Sequence, residues 1–577
     1  MHMFINAIES RRRFFDNTIQ SIKVHSWFWG LITTTSSTLK NKRFPTYWIP
    51  FIFPFFLLVH FDLTSNVIIC DEWVYGWSVH NLAVKHILTF MPQQSAFAIP
   101  QILFSSLISF IHYDPILIRL SILPGVIAVC YFVSKLAISL GAKKNWAYMA
   151  SFSVLANPIF LATAVGYESD TFFIAFLVAS LYFGFQWIDN DRRQILFLFL
   201  IYLAFLQRQI GIFLLPAFFL GVLLSPLPRE KKGKKLFILI LSGLVTGATY
   251  LSLNLTHIAP AVAEARFNGI TSVFWPKFYD FIPNLSAWIG LTILPFVCAL
   301  FFKKIDLQNK AWPRRVGLLI SHLVILVSVI IFLKHGSLFV GDELSSLGLG
   351  PLQVDGYTEK PPLYGFASMA VLQFVSVLCF SYFLWKFREQ LLAKLNYRYL
   401  IIIAFALPYA FFMAVIGPLD RYLIPVLVPL VSVFAVLASK TKKERLSLVF
   451  ASVICLLGLG MFIVGEQDYL AWEVAVNTTA KFVYTKADPG EVSAGYEANG
   501  VYYEIPYLEK YKTQPPGYED FRIQQQYNAV RYGPVHPLYC IRFASPTDTH
   551  PGVNYYSFAP GKIIFFPISE TSFGSCH

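Results

Sequence analysis

Charge is scarce in this chain. Only 14% of its 577 residues are Asp, Glu, Lys or Arg, against roughly 25% in an ordinary soluble domain, so a soluble globule is excluded. Cysteine is scarce too: seven are scattered without a CxxC pair or metal-finger spacing, so neither a disulfide scaffold nor a zinc module is expected. No repeat of solenoid length is present. A cleavable signal peptide is not expected, because residues 1–43 carry Arg11, Arg12, Arg13, Lys23, Lys40, Lys42 and Arg43 and are too long and polar for an n-region.

What is abundant is apolar surface: 56% of residues are hydrophobic and 17% aromatic, gathered into segments of about 17 to 24 residues bounded by basic clusters. The pattern predicts repeated bilayer crossings. Residues 1–44 are expected in the cytoplasm, the first span at 47–63 and the first outer loop at 64–115. Within that loop 97–112 is apolar but short, which suits an interfacial helix or half-span. Further spans are expected at 116–140, 146–164, 171–188, 195–206, 210–224, 236–255, 285–302, 316–333, 366–385, 400–416, 422–437 and 446–464, thirteen in all.

Lys and Arg exceed Asp and Glu by 46 to 33, and the question in a membrane chain is which loops hold the excess. Nucleic acid is a poor explanation. With thirteen spans, the clusters Lys143-Lys144, Arg192-Arg193, Arg229 to Lys235, Lys303-Lys304 with Arg314-Arg315, Lys386 to Arg398 and Lys440 to Arg445 all fall inside, as the positive-inside rule requires. The weakest span, 195–206, must cross to keep Arg229 to Lys235 inside. The odd number of crossings places 466–577 outside. That stretch is rich in Tyr, Pro and Gly, with strand-like pieces at 500–505 and 562–566, and reads as a small soluble mixed α/β domain. Cys540 and Cys576 could pair there in an oxidising compartment. The architecture expected is thus an all-α polytopic membrane domain, 45–465, followed by an extracytoplasmic domain.

Ionisable groups near hydrocarbon need a partner or a task. Three groups stand out, all on the outer side: Asp71-Glu72 beside Trp73, Tyr75 and Trp77; Glu168 and Asp170 in the turn Gly166-Tyr167-Glu168-Ser169-Asp170-Thr171; and two lone cations, Arg208 and Arg421. Each has a plainer explanation. The paired acids suit an interfacial loop, Ser169 or Asp170 a helix cap, and Asp420-Arg421 a surface ion pair. Together they fit transfer from a lipid phosphate. Arg stabilises a departing phosphate, a carboxylate accepts the proton of an attacking hydroxyl, and direct displacement inverts the anomeric carbon.

These residues resemble the lipid-linked-sugar glycosyltransferases of the C-type (GT-C) fold, in the branch of protein O-mannosyltransferases and the aminoarabinose lipid A transferase. The resemblance is carried by Asp71-Glu72, by the Gly166 to Phe173 run, by Leu203 to Arg208 before Gly211 and Pro216, and by Arg421-Tyr422-Leu423-Ile424-Pro425. It implies Asp71 as base with Glu72 as neighbour, Asp170 as an acid assisting acceptor or metal, and Arg421 and Arg208 as ligands of the donor phosphate. Glu168, Tyr75 and Trp73 are expected to contact the acceptor or to shape the loop around it. A divalent metal, if one takes part, would use Asp71, Glu72 and Asp170.

The family's basic residue before Pro-Pro in the first outer loop is missing at Phe97-Ala98-Ile99-Pro100-Gln101. Lys360-Pro361-Pro362-Leu363 imitates it in a later loop, by coincidence or as a lid element. Asp342-Glu343 is a second acidic pair, read mainly as solvated loop charge. The implied donor is a polyprenyl-phosphate sugar and the acceptor a hydroxyl of a glycan, lipid or protein. The bacterial inner membrane with a periplasmic site is the first expectation, the endoplasmic reticulum the second. The rival is a transporter or lipid-linked sugar flippase.

Overall fold

The computed structural model describes residues 69, 71–91, 94–256, 283–297, 311–338, 344–350, 360–393, 396–416, 420–441, 443–511, 538–544, 550–557 and 559–567. The first expected span, Asp342-Glu343 and Cys576 lie outside these residues. Cys540 is disulfide-bonded, and its partner is outside them as well.

Among the described residues, each later segment expected to span is helical, and the chain is an integral membrane protein. Among the described residues six helices are long and apolar enough to cross a bilayer, and a bent pair makes a seventh. Others, including Gln194–Gln207 and Gln209–Leu224, are shorter. Lipid is the natural partner for Arg229–Leu255, since only 11% of its apolar window is covered by protein. The segment expected at 146–164 is instead two helices, Lys144–Leu155 and Pro158–Val165, bent by 61°. Asn157-Pro158 causes the break. The ring of Pro158 removes a helix donor, while the Asn157 side chain accepts from the N–H groups of Ile159 (3.0 Å) and Phe160 (3.4 Å) and starts a new helix.

The last long helix also departs from expectation. It runs unbroken from Glu444 to Val483, 40 residues or about 60 Å, twice the roughly 30 Å of hydrocarbon. Its second half is the scaffold of the terminal sheet. Strands β3 (Val492–Ser493), β4 (Tyr539–Phe543), β5 (Gly552–Tyr555) and β6 (Gly561–Pro567) follow the hairpin strands β1 (Leu344–Ser345) and β2 (Gly348–Leu349) in the chain, and stand in the order β3-β4-β6-β5. β3 pairs parallel with β4, and the remaining pairs are antiparallel. Trp472 on Phe543 and Phe482 on Phe565, each with ring centroids 5.4 Å apart, seat the sheet on the helix.

Residues 500–505 do not form the expected strand. Gly500–Glu504 is a π-helical turn leading into Ile505–Tyr511. Gly500 is required there: a Cβ on it would lie 2.4 Å from the Trp73 ring. The Trp73 ring is covered by this contact. It is 2% exposed and packs with Met91, Leu508, Val501 and Ile505, joining helix Glu72–Lys85 to the terminal segment.

Candidate active site

Four short backbone features bring the charged residues together. Tyr167 adopts a left-handed φ of 44°, a costly conformation for a bulky residue. It is held by a hydrogen bond from its hydroxyl to Ser105 Oγ, 2.6 Å. The kink delivers Glu168 in extended conformation as the residue before helix Ser169–Asn190 and sets Asp170 in its first turn, where the helix dipole favours an anion.

The second feature is the reversal after helix Gln194–Gln207. Arg208 ends that helix in extended conformation, and the chain folds back so closely that a Cβ on Gly211 would meet the Ala204 backbone at 2.6 Å. Gln207 ties the reversal to its neighbours. Its Nε2 donates to Ser169 O (2.9 Å) and Gln101 Oε1 (2.7 Å). The third feature is the 3₁₀ turn Arg421–Leu423, and the fourth is the start of helix Glu72–Lys85, which presents Asp71.

The result is a compact charge cluster. Arg421 reaches Glu168 Oε1 with one guanidinium nitrogen (2.8 Å) and Asp71 Oδ2 with another (3.3 Å). Arg208 pairs with Asp170. Both guanidinium groups lie near the ring of Tyr422, at 4.9 Å for Arg208 and 5.4 Å for Arg421, within the range of cation–π attraction. Tyr75 belongs to the same cluster through its hydroxyl, which donates to Ser169 Oγ at 3.2 Å.

Exposure separates the acids. The side chains of Glu168 and Asp170 are 2% exposed, that of Asp71 21%. Asp71 is the most open of the three acids. Arg421 (12%) is likewise more open than Arg208 (7%).

Glu72 is placed differently. It is 4% exposed and turned to Arg119, which grips it with Nε at 2.6 Å and Nη2 at 2.7 Å, while Ile69 N–H donates to Oε2 at 3.1 Å. A fork of this kind anchors the start of helix Glu72–Lys85 and so the residue before it, Asp71. Sequence reasoning missed Arg119, although a lone Arg in an apolar stretch is itself a signal for a buried partner.

The expected metal ligands do not converge. Glu72 is engaged by Arg119 and Asp170 by Arg208. Among the described residues no group of three or more His, Cys, Asp or Glu is arranged to hold an ion. Asp71, Glu72 and Asp170 therefore do not fit a divalent metal as they stand. Lys360 is buried, with Nζ 2.6 Å from Asp468 Oδ2.

Residues 101–224 match the model of the MptA_B family, described as alpha-(1->6)-mannopyranosyltransferase, N-terminal domain. The matched stretch contains Glu168, Asp170, Arg208 and Arg119, while Asp71 and Arg421 lie outside it. It supports the resemblance to membrane glycosyltransferases over about a fifth of the chain. No curated protein matches. Among solved structures, ArnT from Cupriavidus metallidurans in the apo state is similar at a TM-score of 0.39 and 12% identity, over 80% of this chain and 70% of that one. A likeness so loose transfers no residue role.

Proposed function

We propose that this chain is an inverting glycosyltransferase that moves one sugar from a polyprenyl-phosphate carrier to a hydroxyl on a lipid, glycan or protein acceptor. The observation that carries the reading is the bridge from Arg421 to both Asp71 and Glu168 beside the Arg208–Asp170 pair. Arg421 is the more open of the two cations, and its guanidinium can exchange a carboxylate for a phosphate. Donor phosphate takes the place of carboxylate on Arg421, and that exchange leaves Asp71 free to act as base.

The steps then balance. The acceptor oxygen attacks the anomeric carbon from the face opposite the phosphate, and its proton passes to Asp71. The bond from carbon to phosphate oxygen breaks with its electron pair left on the phosphate, whose growing charge Arg421 stabilises, with Arg208 behind it. One displacement gives inversion. Glu168 holds Arg421 in place between turnovers, and Tyr422 and Tyr75 form the polar wall of the site.

The matched family is named for mannose transfer, which makes a polyprenyl-phosphate mannose the first donor to test. The one-sided distribution of the six basic clusters supports thirteen crossings with the site on the non-cytoplasmic face; the bacterial inner membrane is the first membrane proposed and the endoplasmic reticulum the second. The test is mass spectrometry of surface glycans and glycoproteins from cells with and without the gene. Loss of a single sugar residue supports the transferase. Complete glycans trapped on the inner leaflet would point to a flippase instead.

A further inference from the structure

One acid beside the site has no place in the chemistry above. Asp420 is 0% exposed, so the surface pair expected from its sequence position is not what the fold makes of it. Its Oδ1 accepts from the N–H of Arg421 at 2.8 Å, opening the turn that carries Arg421. Its Oδ2 accepts from the N–H of Leu344, 3.0 Å away.

Leu344 begins the hairpin of β1 and β2, and that hairpin is anchored in turn. Leu349 and Tyr364 close on Gly465 of the long helix, and Gly350 lies against the Tyr469 ring. Tyr364 N–H donates to Ser346 O at 3.1 Å, and Lys360 Nζ donates to Leu347 O at 2.7 Å while pairing with Asp468. Asp420 is thus the joint between a fixed hairpin and the backbone under Arg421.

We propose that Asp420 is a positioning residue for the donor phosphate site: it sets the turn so that the Arg421 guanidinium lies between Asp71 and Glu168. This rests on the transferase reading given above. A carboxylate is needed because two backbone donors from separate segments require two acceptor oxygens. Asn supplies one and turns an NH₂ toward the other donor, and Ser keeps the cap on Arg421 but loses Leu344. A buried carboxylate is costly unless so satisfied.

The test uses the full chain in lipid nanodiscs with polyprenyl-phosphate mannose as donor probe. Asp420→Asn and Asp420→Ser should each raise donor KM about tenfold with acceptor KM unchanged. Arg421→Ala should raise it further, and adding Asp420→Asn to Arg421→Ala should cost nothing more, because the two act through one contact. Leu344→Pro removes the second donor, at a strand's first position where Pro is tolerated, and Leu344→Val, which keeps the N–H while trimming the same buried side chain, is its control. The Pro variant should repeat the shift in donor KM and the Val variant should not, and the pair decides the matter if the Asp420 variants fail to insert.

An unchanged donor KM in the Asp420 and Leu344→Pro variants, with Arg421→Ala impaired, would overturn the positioning role and leave the transferase reading standing. So would multiplicative losses in the double variant. An unchanged donor KM in Arg421→Ala would instead remove the phosphate role on which both readings depend.

Discussion

Replacing Asp71 by Asn keeps the side-chain volume and removes its basicity. Two effects should follow, in opposite directions. Loss of a general base costs about 10²- to 10⁴-fold in kcat, or roughly 3 to 5 kcal/mol of barrier. At the same time Arg421 loses a competing carboxylate 3.3 Å away. In an effective dielectric of about 20 the gross attraction at that distance is about 5 kcal/mol. Asp71 is 21% exposed, so desolvation and solvent screening cancel most of it, leaving about 1 to 2 kcal/mol. Donor KM should therefore fall by roughly five- to thirtyfold. Steady-state transfer by the purified variant in nanodiscs measures both constants. Misfolding lowers the active fraction and leaves KM alone, so the paired signature is specific. A kcat near the wild-type value would refute the base. A raised donor KM would refute the competition between Asp71 and phosphate for Arg421.

Arg119→Met should destabilise the protein by about 3 to 5 kcal/mol, because it strands Glu72, while Glu72→Leu with Arg119→Met should recover most of that; thermal unfolding in detergent measures the difference. Gly500→Ala should cost about 1 to 3 kcal/mol, since its new methyl would press on Trp73, and limited proteolysis should show the terminal segment loosened. Glu504 is fully buried and burial pushes its carboxyl well above the ordinary 4.5. The folded state therefore holds a proton that the unfolded state releases, and stability contributed by this group is full below pH 4.5 and declines as pH rises through the folded value. Glu504→Gln should flatten that decline and raise the melting temperature at neutral pH; a steeper pH dependence in the variant would contradict the assignment.

The positions of the helices were legible because a bilayer demands long apolar runs, and each run expected among the described residues is helical. The end of the last helix was not. Apolar composition stops near 464, but Glu466, Asp468 and Glu473 continue as buried residues, their cost offset by partners such as Lys360 that come from distant segments. The bend at 157 was written in Asn157-Pro158. At the site, Asp71, Glu168, Asp170, Arg208, Arg421 and Tyr75 were all named from the sequence, and the fold brings them together. Glu72 was grouped with Asp71 by adjacency, yet neighbours in a helix turn to different sides, and its true partner lies 47 residues away at Arg119. Tyr502 and Tyr503 favour a strand by propensity, but contact of Gly500 with Trp73 settles the segment as helix.

The central claim is a single displacement of polyprenyl phosphate at the Arg421 site. The most direct measurement is the anomeric configuration, by NMR, of the product formed by the purified protein from a polyprenyl-phosphate mannose of known configuration. The account predicts transfer with inversion. Retention of configuration, or transfer from a nucleotide sugar with none from the lipid donor, would contradict it.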